Sequence, residues 1–255
     1  MAESYSIDGT DISTLMTHVQ TLDGLIGTPP MLQRDYVIPG RTGSVAAKPW
    51  AGARPLTFGG IVTGATRIAY QGNLRSLAEL CFNGGDTVTI TRVIDLPADE
   101  TLSVVGTARY VGGLESVNEL APNVGRVAIE FSLISGFFYA SDYADSGVKS
   151  TSTFTIDAPG EAPTSEVKVQ FSGGTGAQKL TNTTTGDYVQ YTGATSTAVE
   201  LNSATFTATQ GATNVVSGVE AGTASYYWMR LNPGVNSFTR TGNGDVQVFY
   251  KAAYL

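Results

Sequence analysis

Three things are scarce in this chain of 255 residues: cysteine, histidine and charge. Asp, Glu, Lys and Arg together make up 15%, against roughly 25% in an average globular protein. The lone Cys81 excludes an intramolecular disulfide and any cysteine-built zinc site. The lone His18 excludes a multi-histidine metal centre. Fifteen basic against 22 acidic residues give a formal net charge of −7, which argues against tight sequence-independent nucleic-acid binding, because that needs a basic surface to neutralise phosphate, and no sequence-specific nucleic-acid binding is expected. Long hydrophobic runs are missing too. The richest, 131–140, is short and broken by Ser132, Ser135 and Gly136, so no membrane insertion is expected. The start, Met-Ala-Glu-Ser-Tyr-Ser-Ile-Asp, is acidic and polar where a secretory leader would be basic and then apolar. Synthesis in the cytoplasm without a signal peptide is the expectation.

What the chain has in plenty is small residues, with 30 glycines and 33 threonines, beside 42% hydrophobic residues. That is enough apolar material for real cores, and the length suits two modest domains or one large all-β domain. The halves differ in charge. Residues 31–130 hold nine basic and nine acidic residues, whereas 172–218 contain only Lys179, Asp187 and Glu200. Between them 141–163, rich in Ser, Thr and Asp and carrying Pro159 and Pro163, reads as a linker. A division into 1–145 and 146–255 follows.

Apolar and polar residues alternate over 87–93, 126–133, 166–171 and 245–250. Strands with one buried face need this period of two. Asn83-Gly84-Gly85, Gly112-Gly113, Gly173-Gly174 and Gly242-Asn243-Gly244 supply turns. One helix is predicted over 73–82, capped by Asn73, with Leu74, Leu77, Ala78 and Cys81 on one face and Gly84-Gly85 as its stop. The fold class is therefore all-β with one short helix.

No catalytic constellation emerges. His18 has no serine or cysteine motif near it, and Cys81 lies on the apolar face of the predicted helix, where a buried, inert thiol is expected. Asp95, Asp99 and Glu100 surround Pro97; paired carboxylates are the equipment of glycoside hydrolysis, and a solvated loop is the plainer account. Asp142 and Asp145 lack the spacing of a calcium loop. The run 173–179 lacks the Gly-Lys-Ser/Thr ending of a phosphate loop and reads as a hairpin turn. No metal, no cofactor and no enzymatic activity are expected. Tyr226, Tyr227 and Trp228 are the most interesting aromatic group. On a strand Tyr226 and Trp228 share a face; exposed they would stack on sugars, and buried they would fill a sandwich core.

Two sets of segments resemble a known family. Tyr36-Val37-Ile38-Pro39-Gly40-Arg41-Thr42-Gly43, then 56–64, the predicted helix, and 127–131 leading into Gly136-Phe137-Phe138-Tyr139 are similar to the N-terminal domain of distal tail (Dit) proteins of long-tailed bacteriophages. The segments 180–188, 228–236 and 246–250 resemble the galectin-like C-terminal domain of the same family, in the same order. The resemblance implies a belt-type β-sandwich or barrel followed by a galectin-like β-sandwich. It implies a virion protein of the tail tip, assembled with itself as a ring, commonly a hexamer, that joins the tail tube protein to the baseplate hub or tail fibre protein. Arg34 and Arg41 are the expected contacts between subunits, with solvated loop arginines as the alternative. A carbohydrate-binding adhesin stacking glycans on Tyr226, Tyr227 or Trp228 is the rival function.

Overall fold

In the computed structural model, all residues are described except 1–2, 24–27, 33–34, 38–43, 47–49, 83–86, 96–99, 115–116 and 223–227. The chain forms two compact units, Met1–Tyr139 with Leu255, and Ala140–Tyr254. Strands dominate both, and among the described residues there is one α-helix.

The first unit contains β1 (Glu3–Ile7), β2 (Thr10–Asp11), β3 (Thr17–Asp23), β4 (Met31–Leu32), β5 (Asp35–Val37), β6 (Ser44–Ala46), β7 (Trp50–Ala51), β8 (Arg54–Thr63), α1 (Arg67–Phe82), β9 (Val88–Asp95), β10 (Thr101–Gly112), β11 (Asn118–Ala121), β12 (Val124–Leu133) and β13 (Phe138–Ala140). Its main sheet runs in the order β2-β1-β9-β10-β12-β8-β3, and β11 pairs with β12 off that path. Lying flat, such a sheet would hold its end strands about 29 Å apart. Only residues 12–16 join β2 to β3, and three of them, Ile12–Thr14, are wound into a 3-10 turn, so the link reaches under about 20 Å. The sheet must therefore curl until its ends approach. β2 and β3 are not hydrogen-bonded to each other among the described residues, so the curl is an open one and not a closed barrel.

Alternation explains which face lies inside. On β12, Gly125, Val127, Ile129, Phe131 and Leu133 are buried while Arg126 and Glu130 are exposed. Residues Val124 to Leu133 pair antiparallel with Thr63 to Arg54 without a break, which puts Leu56, Phe58 and Val62 on the same inner side. Helix α1 covers part of that face with Tyr70, Leu77 and Cys81. It starts at Arg67 and not, as the sequence suggests, at Asn73. Thr66 is the residue that caps it: its Oγ1 accepts from Ala69 N at 3.2 Å and its carbonyl from Tyr70 N at 2.9 Å. Asn73 instead donates its side-chain amide to the Thr63 carbonyl, 2.8 Å away. The first turn escapes periodicity because Ile68 is exposed and Gly72 follows.

The second unit contains β14 (Ala144–Asp145), β15 (Thr153–Ala158), β16 (Val167–Ser172), β17 (Gln178–Asn182), β18 (Tyr188–Tyr191), β19 (Val199–Asn202), β20 (Thr207–Gln210), β21 (Thr213–Asn214), β22 (Val219–Gly222), β23 (Gly234–Thr241), β24 (Asp245–Tyr250) and β25 (Ala253–Tyr254). All of these but β25 build two sheets, β14-β24-β16-β19-β20-β21 and β15-β23-β17-β18-β22. Both contribute to one core, Val167, Val169, Phe171, Val246 and Val248 from the first and Leu180, Val189 and Phe238 from the second. That is a β-sandwich. The 141–163 stretch, read above as a linker, supplies β14 and β15: β15 pairs with β23 from Thr153 to Ala158, and Ile156 and Ala158 enter the core.

Candidate functional site

Of the residues singled out from the sequence, Arg34, Arg41, Tyr226 and Tyr227 lie outside the described residues. Trp228 is described. It sits outside any named strand, half-buried against the core of the second unit, since backbone pairing resumes only at the Thr164–Leu231 bridge. Its neighbour Met229 is fully buried and donates its backbone N–H to Ser203 Oγ at 2.7 Å. The Trp228 ring meets Phe206 edge to face, with centroids 5.7 Å apart. Phe206 is 44% exposed and has a left-handed φ of 55°, an uncommon conformation for a bulky residue. Phe206 carried no signal in the sequence, because it is local backbone geometry that sets it beside Trp228.

The candidate reactive groups do not converge. Cys81 is buried in α1, and desolvation pushes its thiol up to about 12, so it is a protonated thiol at neutral pH. His18 is exposed at a break in the β3–β8 register between Thr17 and Gln20, with a left-handed φ of 53°. This bulge blunts an edge strand. His18 borders a groove of about 380 Å³ with Gln20, Gly59, Gly60, Leu120 and Arg126, and no cysteine, serine or carboxylate lines it. Asp95 and Glu100 flank the β9–β10 connection and are exposed, while Asp99 lies outside the described residues. Among the described residues no group of three or more His, Cys, Asp or Glu side chains is placed to hold a metal ion. No helix there is long and apolar enough to cross a membrane.

The glycine-rich run 173–177 joins β16 to β17, and those strands belong to different sheets. It is a crossing between sheets and not the hairpin expected. Two of its backbone amides are already engaged. Gly174 N donates to Thr195 Oγ1 at 3.0 Å, and Thr175 N donates to Asn243 Oδ1 at 3.2 Å. Thr195 Oγ1 also accepts from the buried Gln178 amide. A phosphate would have to displace these side chains. The outward face of the β14–β21 sheet is similarly self-satisfied: Lys168 pairs with Glu200 at 3.2 Å, Gln247 donates to both Asp145 oxygens at 2.8 Å, and Tyr143 donates to Glu166 at 3.2 Å.

Among the described residues the candidate groups do not come together, so likeness of fold becomes the informative comparison. No family model matches the chain, and no curated protein matches it either. A solved structure does. The crystal structure of the SPP1 Dit protein, described as a paradigm of the hub adsorption apparatus in Gram-positive-infecting phages, superposes over 100% of both chains with a TM-score of 0.69 at 16% identity. The fold is that of a Dit protein. Chains of the phage P2 baseplate in its activated conformation, with Ca or with Sr, are 9% identical with a TM-score of 0.48, covering 99% or 98% of this chain and 98% of theirs. Within the Dit fold the resembling segments take definite places. Segments 56–64 and 127–131 fall mainly on the paired strands β8 and β12, 180–188 begins on β17, and 246–250 lies in β24. Segment 36–43 enters β5 and then leaves the described residues.

Proposed function

We propose that the chain is a structural adaptor of a bacteriophage tail tip, working in the virion as a homo-oligomeric ring. The ring, of six copies as the family resemblance implies, joins the tail tube protein to the baseplate hub or tail fibre protein. The first unit, residues 1–145 in the sequence reading, is the belt, and the second is an outward galectin-like domain. The observation that carries this reading is the likeness to SPP1 Dit over the full length of both chains. Native mass spectrometry of the purified chain tests it, with a single closed species several times 26.7 kDa expected. A monomer at all concentrations, both alone and with isolated tail tubes, would sink the ring.

A second reading, glycan recognition by the second unit, rests on the exposed Phe206 against Trp228. Aromatic faces of this kind stack on sugars. A glycan array on the full chain and on Phe206→Ala separates the two, because an adaptor without a lectin role gives no signal for Phe206→Ala to lose.

A further inference from the structure

Two strand crossings lie side by side at one end of the second unit. Residues 173–177 carry the chain from β16 to β17, and 242–244 carry it from β23 to β24. They pass between the two sheets in opposite directions, because β16 pairs with β24 in one sheet and β17 with β23 in the other. Ser172 stands opposite Asp245, and Lys179 opposite Thr241, so the connections start and end against each other. Asn243 ties them together. Its side-chain oxygen accepts from Thr175 N at 3.2 Å, and its side-chain amide donates to Thr175 Oγ1 at 2.8 Å.

The residue after Asn243 has to be glycine. Gly244 is buried, and an added Cβ would collide with the Ser172 carbonyl and the Gln178 amide. Packing thus places an Asn-Gly pair in a loop where Asn243 itself is exposed. Among the asparagines of the described residues, only Asn243 precedes glycine. With no side chain beside it, a glycine nitrogen is the least hindered nucleophile toward the preceding asparagine's side-chain carbonyl carbon. Gly244 N gives up its proton and bonds to Asn243 Cγ, the Cγ–Nδ2 bond breaks, and Nδ2 leaves as ammonia carrying that proton. Water then adds to the cyclic imide and opens it at either carbonyl, to aspartate or to isoaspartate. Water is the only co-reactant, and nothing is oxidised or reduced.

We propose that Asn243 is a deamidation site guarded by Thr175. Ring closure requires Cγ to turn toward Gly244 N and Nδ2 to depart. One hydrogen bond to Thr175 fixes Oδ1 and the other fixes Nδ2, so neither movement is free while the two crossings stay clasped. The reaction proceeds when the crossings part, and its product records that opening. Either product adds a negative charge at the loop, and isoaspartate also adds a methylene to the main chain between β23 and β24.

The test incubates the full chain at neutral pH and follows the tryptic peptide 241–251 by mass spectrometry for conversion of amide to acid. The native wild type should react slowly and the urea-unfolded chain fast. Thr175→Val keeps the backbone N–H and loses the hydroxyl. Thr175 is exposed, so the melting profile should hold, while deamidation runs about three- to tenfold faster, the effect of one hydrogen bond. Thr175→Ala repeats the deletion with a smaller side chain, and Thr175→Ser, which keeps both contacts, should match the wild type. Folded Thr175→Val or Thr175→Ala reacting at the wild-type rate overturns the guard. A wild type that reacts as fast in native buffer as in urea overturns it too.

Discussion

In the first unit Tyr5, Phe58, Phe131 and Tyr110 run edge to face through the interior, with successive centroids 5.1, 6.1 and 6.0 Å apart. In the second unit the core is mostly aliphatic, and the buried side chains at its margins are polar: Gln178, Asn182, Asp187, Thr195, Ser203 and Asn236. Asn236 alone makes four hydrogen bonds. Its amide donates to the carbonyls of Asn232 at 2.7 Å and Gly234 at 2.9 Å; its oxygen accepts from Asn232 N at 3.0 Å and from the Asn182 amide at 3.2 Å. Asp187, fully buried, lies 3.8 Å from Arg230. Long strands, β8 and β12, bring large rings together in the first unit and leave packing to hold it. Short strands dominate the second, and buried side chains at its turns satisfy backbone groups there, as Asn236 does for Asn232 and Gly234. The first unit gathers large rings in its interior, and the second adds hydrogen-bonded side chains at the margins of its apolar core.

The sharpest way to break this contrast is to remove a ring. Phe58 is fully buried, and Phe58→Ala should cost about 3–5 kcal/mol, the usual range for a truncated core aromatic. Cys81, buried in the same unit, reports on it: thiol labelling at neutral pH should accelerate sharply in the variant. Labelling at the wild-type rate would mean that the aromatic row does not hold the first unit closed. The matching test in the second unit is Asn236→Ala. It strands the Asn232 N–H and two carbonyls, and should cost about 1–3 kcal/mol while leaving Cys81 labelling as it was. A loss below a few tenths of a kcal/mol would show that the polar margin adds little.

Alkaline titration sharpens the comparison at smaller amplitude. Burial raises the Cys81 thiol from 9.0 to about 12, and burial together with Glu166 raises the Tyr143 hydroxyl from 10.0 to about 12. Both groups hold their protons in the folded state at pH values where the unfolded chain releases them. Stability therefore falls as pH rises, from about 9 upward in the first unit and from about 10 upward in the second. Cys81→Ala should flatten the first loss and Tyr143→Phe the second, measured as chemical-denaturation midpoints between pH 8 and 11. A steeper fall in either variant would reverse the sign.

How much of this was legible in the sequence depends on range. The strands β9, β12, β16 and β24 follow from alternation, since each has one buried face. The helix was visible only from its second half, because exposed Ile68 and Gly72 interrupt the first turns. β14 and β15 were hidden because Ser, Thr and Asp also populate edge strands, and local composition does not distinguish an edge strand from a linker. The Gly173-Gly174 turn was read as a hairpin because turn chemistry does not say whether the next strand pairs with the last or crosses to another sheet. The candidate surfaces were harder still. Arg34 and Arg41 could be named from charge, but the two small sheets β4–β7 and β5–β6 become distinct elements only once their strands are seen to pair apart from the main sheet among the described residues.

The smallest expected effect has the opposite sign from the others and tests whether apolar packing alone governs the first unit. Tyr70 of α1 is fully buried, and its hydroxyl has no hydrogen-bond partner among the described residues. The Arg67 guanidinium lies over its ring, 5.3 Å from the centroid, but that contact uses the π face and leaves the hydroxyl unserved. An unsatisfied buried hydroxyl costs free energy without return, so Tyr70→Phe should be neutral or stabilise by up to about 1 kcal/mol. The hydroxyl also points at Gly125 of β12, where an added Cβ would collide with it and come within 2.8 Å of Val117. Gly125→Ala should therefore cost about 1–3 kcal/mol in the wild type. In the Tyr70→Phe background it should cost less, with Val117 left as the remaining obstacle, so a double-mutant cycle should return a favourable coupling. Equal costs in both backgrounds would place the collision elsewhere, and a destabilised Tyr70→Phe would mean that the hydroxyl has a partner and that a polar contact helps to hold the first unit too.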